Sequence, residues 1–177
     1  MIDTSYLSVI DEKRAFLDGL ADAIWENPEL AFAEYRSAEV LVGALEAEGF
    51  AVEKNLAGIP TAFSGRFGSG RPVIGILGEF DALSGLGQQA GAATPVPGGR
   101  PAGHGCGHNL LGVGSLGAAM AAKRFLETSN RPGTIVYFGC PGEEGGSGKA
   151  FMARDGAFDG LDAALCWHPN SKTEVRT

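Results

Sequence analysis

Pro72-Val73-Ile74-Gly75-Ile76-Leu77-Gly78 runs straight into Glu79-Phe80-Asp81. An apolar run with no period-two alternation marks a strand covered on both faces. Such a strand needs layers above and below it, which is the arrangement of an α/β sheet. Two later stretches read the same way. Thr134-Ile135-Val136-Tyr137-Phe138 closes at Gly139-Cys140-Pro141-Gly142-Glu143-Glu144, and Ala163-Ala164-Leu165-Cys166-Trp167 runs into His168-Pro169.

Helical patterns lie between and before these strands. Leu7, Ile10, Leu17, Leu20, Ala21 and Ile24 recur at helical spacing, predicting one helix capped by Thr4 or Ser5 and stopped by Asn27-Pro28. A second helix is predicted from about Glu34 to Glu48, with Gly49 just beyond its end. Phe50–Val52 and Thr61–Phe67 read as strands, and Ser147–Arg154 as a short helix. A small-residue helix is predicted from about Asn109 to Thr128; Gly112, Gly114 and Gly117 weaken it and make sense if it lies very close to a sheet. Strands alternating with helices imply βαβ units. The expected fold is α/β, a mainly parallel mixed sheet flanked by helices, in one domain.

Composition narrows the function. A chain of 177 residues, 44% hydrophobic and 20% charged, has an ordinary globular make-up. Its net charge of −7 and the lack of a Lys/Arg run argue against nucleic acid or an anionic membrane as partner. The N-terminus has no basic and apolar regions of a signal peptide, and no apolar run approaches the roughly 20 residues of a bilayer span. The 3 Cys form no regular framework, which favours a reducing cytoplasm with thiols buried or metal-bound.

The polar residues fall in a pattern. Asp81, Glu143-Glu144 and His168 each lie just past the C-terminal end of a predicted buried strand, the edge where open α/β sheets build their sites. The Ser84–Gly105 stretch is a long Gly/Pro-rich loop, and loops of that length are uncommon unless functional. It leads to Gly103-His104-Gly105-Cys106-Gly107-His108-Asn109, on the same edge. Glycines there let ligating atoms converge. A thiolate, two imidazoles and a carboxylate suit zinc or a similar ion. Asp81 is placed to orient a ligand or bridge a second ion. Of the adjacent pair Glu143 and Glu144, one can bind metal while the other faces activated water and moves its proton.

Plainer readings compete residue by residue. Adjacent glutamates are usually a solvated surface, His168 could be a half-buried structural histidine, and Asp81 could cap a turn. His104 is open between orienting a ligand and packing the loop. Cys140 and Cys166 lie within strands and read as buried, inert thiols. Two glycine motifs fail on context. Gly112-Val113-Gly114-Ser115-Leu116-Gly117 follows a loop rather than a strand, and Gly145-Gly146-Ser147-Gly148-Lys149 lacks both the leading glycine and the hydroxyl of a phosphate loop.

Four segments together carry a resemblance. Cys106-Gly107-His108-Asn109 precedes a Gly/Ala helix, Pro141-Gly142-Glu143-Glu144-Gly145-Gly146 follows one strand, Trp167-His168-Pro169 follows the next, and Glu79-Phe80-Asp81-Ala82-Leu83 is an acidic-x-Asp-Ala-Leu segment. In this order, over about Glu12 to His168, they resemble the metal-dependent aminoacylase/carboxypeptidase family, most of all its p-aminobenzoyl-glutamate hydrolase branch. The resemblance implies a zinc-exopeptidase-like catalytic domain with a centre of two divalent ions, zinc or manganese. It implies that Cys106, His108, Glu144 and His168 are metal ligands, that Glu143 is the general base and that Asp81 orients a ligand. The implied reaction is hydrolysis of the amide in a small N-acyl- or N-aroyl-amino acid, by a full-length protein that is a homodimer. Asn109 stands where many relatives carry aspartate.

The resemblance also implies that residues 1–177 form the N-terminal portion of a catalytic domain. The lid/dimerisation domain, the remaining strands and one more metal-binding histidine are then absent. An uncovered sheet edge, an incomplete metal shell and weak or no activity of the isolated chain are expected. Two other classes stand beside the hydrolase: a non-catalytic metal-binding or regulatory module on the same scaffold, and a nucleotide-binding α/β domain resting on the two failed glycine motifs.

Overall fold

The computed structural model describes residues 4–95 and 99–175. Residues 1–3, on which the reading of the N-terminus rests, residues 96–98 within the Gly/Pro-rich loop and the last two residues lie outside the described residues.

The first helical stretch is broken. A 3-10 turn, Ser5–Leu7, leads into α1 (Ser8–Glu12), and Lys13 at φ −102°, ψ 9° separates it from α2 (Arg14–Glu26). Neither Thr4 nor Lys13 makes a side-chain capping bond. The break lets α1 follow the long helix α4 (His108–Ser129), while α2 packs on both α4 and α3 (Tyr35–Ala47). The stop at Asn27-Pro28 holds, and Asn27 Nδ2 donates to Ala23 O at 2.9 Å.

α3 begins one residue later than its pattern predicts. Glu29 supplies the cap from outside the helix, accepting Arg36 N at 3.0 Å, Ser37 N at 2.8 Å and Ser37 Oγ at 2.9 Å. Glu34 is thereby left non-helical and turned into the core, at 0% exposure. At the other end Gly49 takes φ 79°, and Phe50 N bonds back to Leu45 O, a glycine-dependent close.

The strands are β1 (Ala51–Lys54), β2 (Phe63–Ser69), β3 (Val73–Glu79), the short pair β4 (Leu83–Ser84) and β5 (Ala102–Gly103), β6 (Gly133–Cys140) and β7 (Ala163–Leu165). The main sheet runs β1-β2-β6-β3-β7. It is parallel across β6, β3 and β7 and antiparallel across β1, β2 and β6. β6 is buried along its whole length, as a strand with neighbours on both sides and layers on both faces must be. β4 and β5 pair antiparallel and zip together the two ends of the long loop, part of which is therefore strand. A 3-10 turn, Leu56–Gly58, follows β1, and β6 is followed by α5 (Glu143–Gly146) and α6 (Gly148–Arg154).

One face of the sheet holds the larger core. Val9, Ile24, Leu41, Leu45, Val113 and Leu116 meet Phe63, Ile76, Ile135 and Tyr137 there. The helix glycines do what their number suggests, with different partners. A Cβ at Gly112 would lie 2.8 Å from Glu79 O, so α4 approaches β3 directly; Gly114 makes room for Trp167, and Gly117 for Ile10 and Leu17. Ser115 Oγ donates to Leu77 O at 2.7 Å and Tyr137 Oη to Gly112 O at 3.1 Å, fixing the helix on the sheet.

The opposite face is thinner. Val73, Val136, Phe138 and Cys140 pack there on Met152 of α6, beside an open hollow of about 810 Å³ lined in part by Arg66, Arg71 and Leu161. Among the described residues β7 pairs with β3 alone, and all its residues are exposed, Leu165 to 58%. Cys166 corrects the sequence reading: it is exposed, because it follows this edge strand, whereas Cys140 inside β6 is buried as predicted. No described helix is long and apolar enough to cross a membrane.

Candidate metal centre

The C-terminal edges of β3, β6 and β7 and the N-terminus of α4 meet at one place. β3 and β6 run parallel and in register to Glu79 and Cys140, so the segments after them emerge side by side. Asp81 follows β3, Glu143 and Glu144 follow β6, and His168 follows β7. Gly107, at φ 79°, starts α4 and sends His108 inward.

His108 is the centre of the cluster and is 0% exposed. Its Nδ1 lies 2.9 Å from Asp81 Oδ1 and 3.1 Å from Asp81 O, both acceptors, so Nδ1 carries the proton. Nε2 then presents its lone pair when the ring is neutral. Among the described residues Nε2 has no hydrogen-bond partner, although Glu79 Oε2 lies 3.1 Å away, Glu144 Oε1 3.9 Å and Glu143 Oε2 4.0 Å. Glu144 Oε1 is likewise buried and without a hydrogen-bond partner among the described residues.

The remaining donors adjoin this group. Cys106 Sγ is 3.2 Å from His168 Nε2, and the His108 and His168 rings meet edge to face with centroids 5.6 Å apart. One ligand atom each from Cys106, His108 and His168 falls within 4.8 Å of the others, and so does one each from Glu79, His108 and Glu143. His108 belongs to both groups. Asp81 and Glu144 join neither group and adjoin them at His108. The six residues singled out from the sequence, Asp81, Cys106, His108, Glu143, Glu144 and His168, therefore lie at one edge. Two buried polar atoms facing a shared space without partners are expensive to keep, about 1–3 kcal/mol each. A divalent cation satisfies both, so the donor set fits a metal.

The electrostatics agree with the geometry. Burial works against a charged His108, but the hydrogen bond and charge of Asp81, with Glu79 and Glu144, outweigh it and raise the imidazole above its ordinary value. Burial likewise opposes ionisation of Asp81, yet the bonds from His108 and Glu144 N leave its carboxyl below the usual range. Burial, then Glu144, Glu143 and Glu79, push the Cys106 thiol up to about 11. A metal-free Cys106 is thus protonated near neutrality and a poor nucleophile. Brief alkylation of the metal-free folded chain at neutral pH is expected to label exposed Cys166 first and to spare Cys106. It should leave buried Cys140, whose thiol burial pushes up to about 12, untouched. Peptide mass spectrometry reads the order, and dominant early labelling of Cys106 would contradict this picture.

Neighbouring residues divide differently. His104 is buried, its Nε2 3.2 Å from Ile24 O and its ring against Trp25, and burial lowers its basicity; it packs the loop onto α2. Asn109 Nδ2 donates to Ala21 O at 3.3 Å, a contact in which an aspartate would set carboxylate against carbonyl. Two residues of the cluster have no role in the sequence reading. Glu79, half-buried, faces His108 with one oxygen and forms an ion pair through the other with Lys149, which the sequence offers only as part of a failed phosphate loop. The signal for Glu79 is its spacing of two from Asp81, which puts both on one face of an extended segment.

Residues 75–176 match the family described as peptidase family M20/M25/M40, and the chain belongs to that family. Among its relatives, a p-aminobenzoyl-glutamate hydrolase subunit of Escherichia coli K12 is 54% identical over 165 residues, covering 92% of this chain and 34% of that protein. The human Xaa-Arg dipeptidase is 33% identical over 180 residues, covering 92% and 37%. The chain thus spans about a third of the length of these curated relatives. Its fold is that of a dinuclear metal-binding peptidase of family M20 from Bacillus subtilis, with TM-score 0.69, 24% identity and coverage of 85% and 42%. An aminobenzoyl-glutamate utilization protein from Klebsiella pneumoniae gives 0.64 at 15% identity, covering 89% and 44%.

Proposed function

We propose that this chain carries the metal-holding part of an amidohydrolase that cleaves the amide of an N-acyl- or N-aroyl-amino acid, with aminobenzoyl-glutamate the first candidate substrate. The observation that carries the reading is buried His108, with Nδ1 tied to Asp81 and Nε2 facing Glu144 without a hydrogen-bond partner among the described residues. That is how proteins prepare a metal-binding imidazole. The substrate class is supported by the Escherichia coli relative's name, and two ions per complete site by the dinuclear Bacillus subtilis neighbour.

Cys106, His108, Glu144 and His168 would hold the ions. The thiolate favours zinc, and the carboxylate-rich side accepts manganese. Divalent ions bound there supply Lewis acidity to the scissile carbonyl and to water. The chain's own groups do the rest. Asp81 keeps the His108 ring oriented and its Nε2 free. Glu143, with Oε2 4.0 Å from His108 Nε2 and a side chain 42% exposed, takes the proton of the attacking water and returns it to the leaving nitrogen.

We further propose that residues 1–177 are the N-terminal portion of a catalytic domain, which their match to about a third of each relative supports. The Escherichia coli relative is one subunit of its hydrolase, which supports a multi-chain assembly; we take it to be a homodimer of the full-length protein. Three free thiols fit a cytoplasmic setting. The test is metal analysis of the purified chain, paired with a turnover screen of the full-length protein on aryl- and acyl-glutamates. Bound zinc or manganese with turnover is expected. No metal and no turnover would overturn the reading, and metal without turnover would favour a non-catalytic metal-binding or regulatory module.

A further inference from the structure

The turn bearing Glu143 and Glu144 has little of its own to hold it. α5 spans four residues between Gly142 at φ 65° and Ser147 at φ 54°, both left-handed. A single helical turn does not stand unaided. Its support comes from two buried carboxylates on distant segments. Asp81 Oδ2 accepts Glu144 N at 2.9 Å, and Glu34 Oε1 accepts Gly142 N at 2.8 Å.

Glu34 is 0% exposed and fully engaged. The oxygen that receives Gly142 N also receives Phe32 N at 2.9 Å, and the other receives Thr61 Oγ1 at 3.0 Å. Phe32, held at φ 62°, lays its ring under the same turn. A Cβ at Gly142 would come within 2.9 Å of that ring, and one at Gly146 within 2.0 Å. The corner from Phe32 to Glu34 therefore clamps the turn by hydrogen bond and by shape. The same N-terminal segment is tied to the other side of the site, since Ala82 N donates to Glu29 O at 2.8 Å.

We propose that Glu34 is a positioning residue for the metal centre: through Gly142 N it fixes the orientation in which Glu143 and Glu144 face His108. The inference rests on the metal-site reading given above and adds a residue that touches neither metal nor substrate. Its chemistry is plain. A buried carboxylate is kept at the cost of desolvation only where its acceptors are used, and here one acceptor secures the backbone adjoining the proposed base and ligand.

Cobalt(II) titration of the full chain tests it, read by the absorption of the Cys106 thiolate on cobalt, with thermal denaturation and amide hydrogen exchange of the metal-free protein beside it. Glu34→Ala is expected to weaken cobalt binding by about 10–100-fold, the usual effect of losing a supporting partner, and to expose the amides of Gly142 and Glu144 to exchange. Glu34→Gln, which keeps the Oε1 acceptor and can donate to Thr61, should restore most of the affinity. Thr61→Val removes a different bond of Glu34 and should lower thermal stability while leaving cobalt affinity intact. Glu34→Asp, a methylene short of Gly142, carries the same expectation should Glu34→Ala not fold. Wild-type affinity in both Glu34→Ala and Glu34→Asp, or an equal loss in Thr61→Val, overturns the positioning role while the metal site stands. No cobalt binding by the wild-type chain overturns the metal-site reading, and this inference with it.

Discussion

Asp81→Ala is expected to lower the affinity of the chain for zinc by about 10–100-fold and to destabilise the metal-free protein. Asp81 has two jobs in one buried carboxylate. Oδ1 fixes the His108 ring through Nδ1, and Oδ2 holds the Glu144 amide. Truncation frees the imidazole to turn and leaves Glu144 N without its acceptor. Asp81→Asn should do nearly as much harm. An amide has one acceptor oxygen where two donors must be met, so its NH₂ opposes either Nδ1–H or Glu144 N. Zinc titration separates this from a general loss of fold when set beside urea denaturation of the metal-free variants.

The same pair gives a pH signature. The His108 value is raised in the folded chain, so its contribution to stability is complete below the ordinary 6.5 and lost as pH rises through the folded value. The Asp81 value is lowered, so its contribution is present above the ordinary 3.8 and lost as pH falls through the folded value. In metal-free wild type the pair is at full strength between those limits. Asp81→Ala removes it and leaves the weaker pull of Glu79 and Glu144 against burial, which disfavours the charged ring. The gap in urea midpoint between wild type and variant should therefore narrow as pH rises beyond 6.5. A gap that stays constant across that range would mean that the pair contributes shape and no charge.

Much of the site is legible because strand ends are legible. A buried strand needs an unbroken apolar run, and the first charged residues beyond it mark the sheet edge; Asp81, Glu143, Glu144 and His168 are found that way. Sheet order is not carried by such runs. Only residues 70–72 separate β2 from β3, yet β6 lies between them, its Gly133 paired with Ser69 and its Thr134 with Val73. Pairing at that range depends on Gly68 and Gly70, both at positive φ, and on Gly133, whose carbonyl would lie 2.4 Å from a Cβ at Gly68. Close approach of this kind shows in the sequence only as an unexplained glycine. Cys166 misleads for a related reason: its strand is apolar enough for the interior but lies at the sheet edge. Glu34 hides because helical periodicity absorbs it, and its capture by Gly142 and Thr61 is entirely long-range.

Glu143→Gln in the full-length protein is expected to keep its metal and lose turnover by about 10²–10⁴-fold, the usual worth of a positioned general base. The assignment rests on how the two neighbouring glutamates differ. Glu144 is 18% exposed at its side chain, its Oε1 is buried, and its amide is pinned by Asp81. Glu143 is 42% exposed and reaches toward His108 from the solvent side. The inward residue suits a ligand and the outward one a proton carrier. Glutamine preserves the size of Glu143 and an acceptor oxygen but cannot take a proton, so metal content measured by elemental analysis should match wild type while hydrolysis falls. Glu144→Gln should do the reverse first, releasing metal, with activity lost as a consequence. If Glu143→Gln empties the site and Glu144→Gln does not, the roles are exchanged, and Glu143, whose Oε2 already lies 4.0 Å from His108 Nε2 and groups with Glu79 and His108, is the ligand.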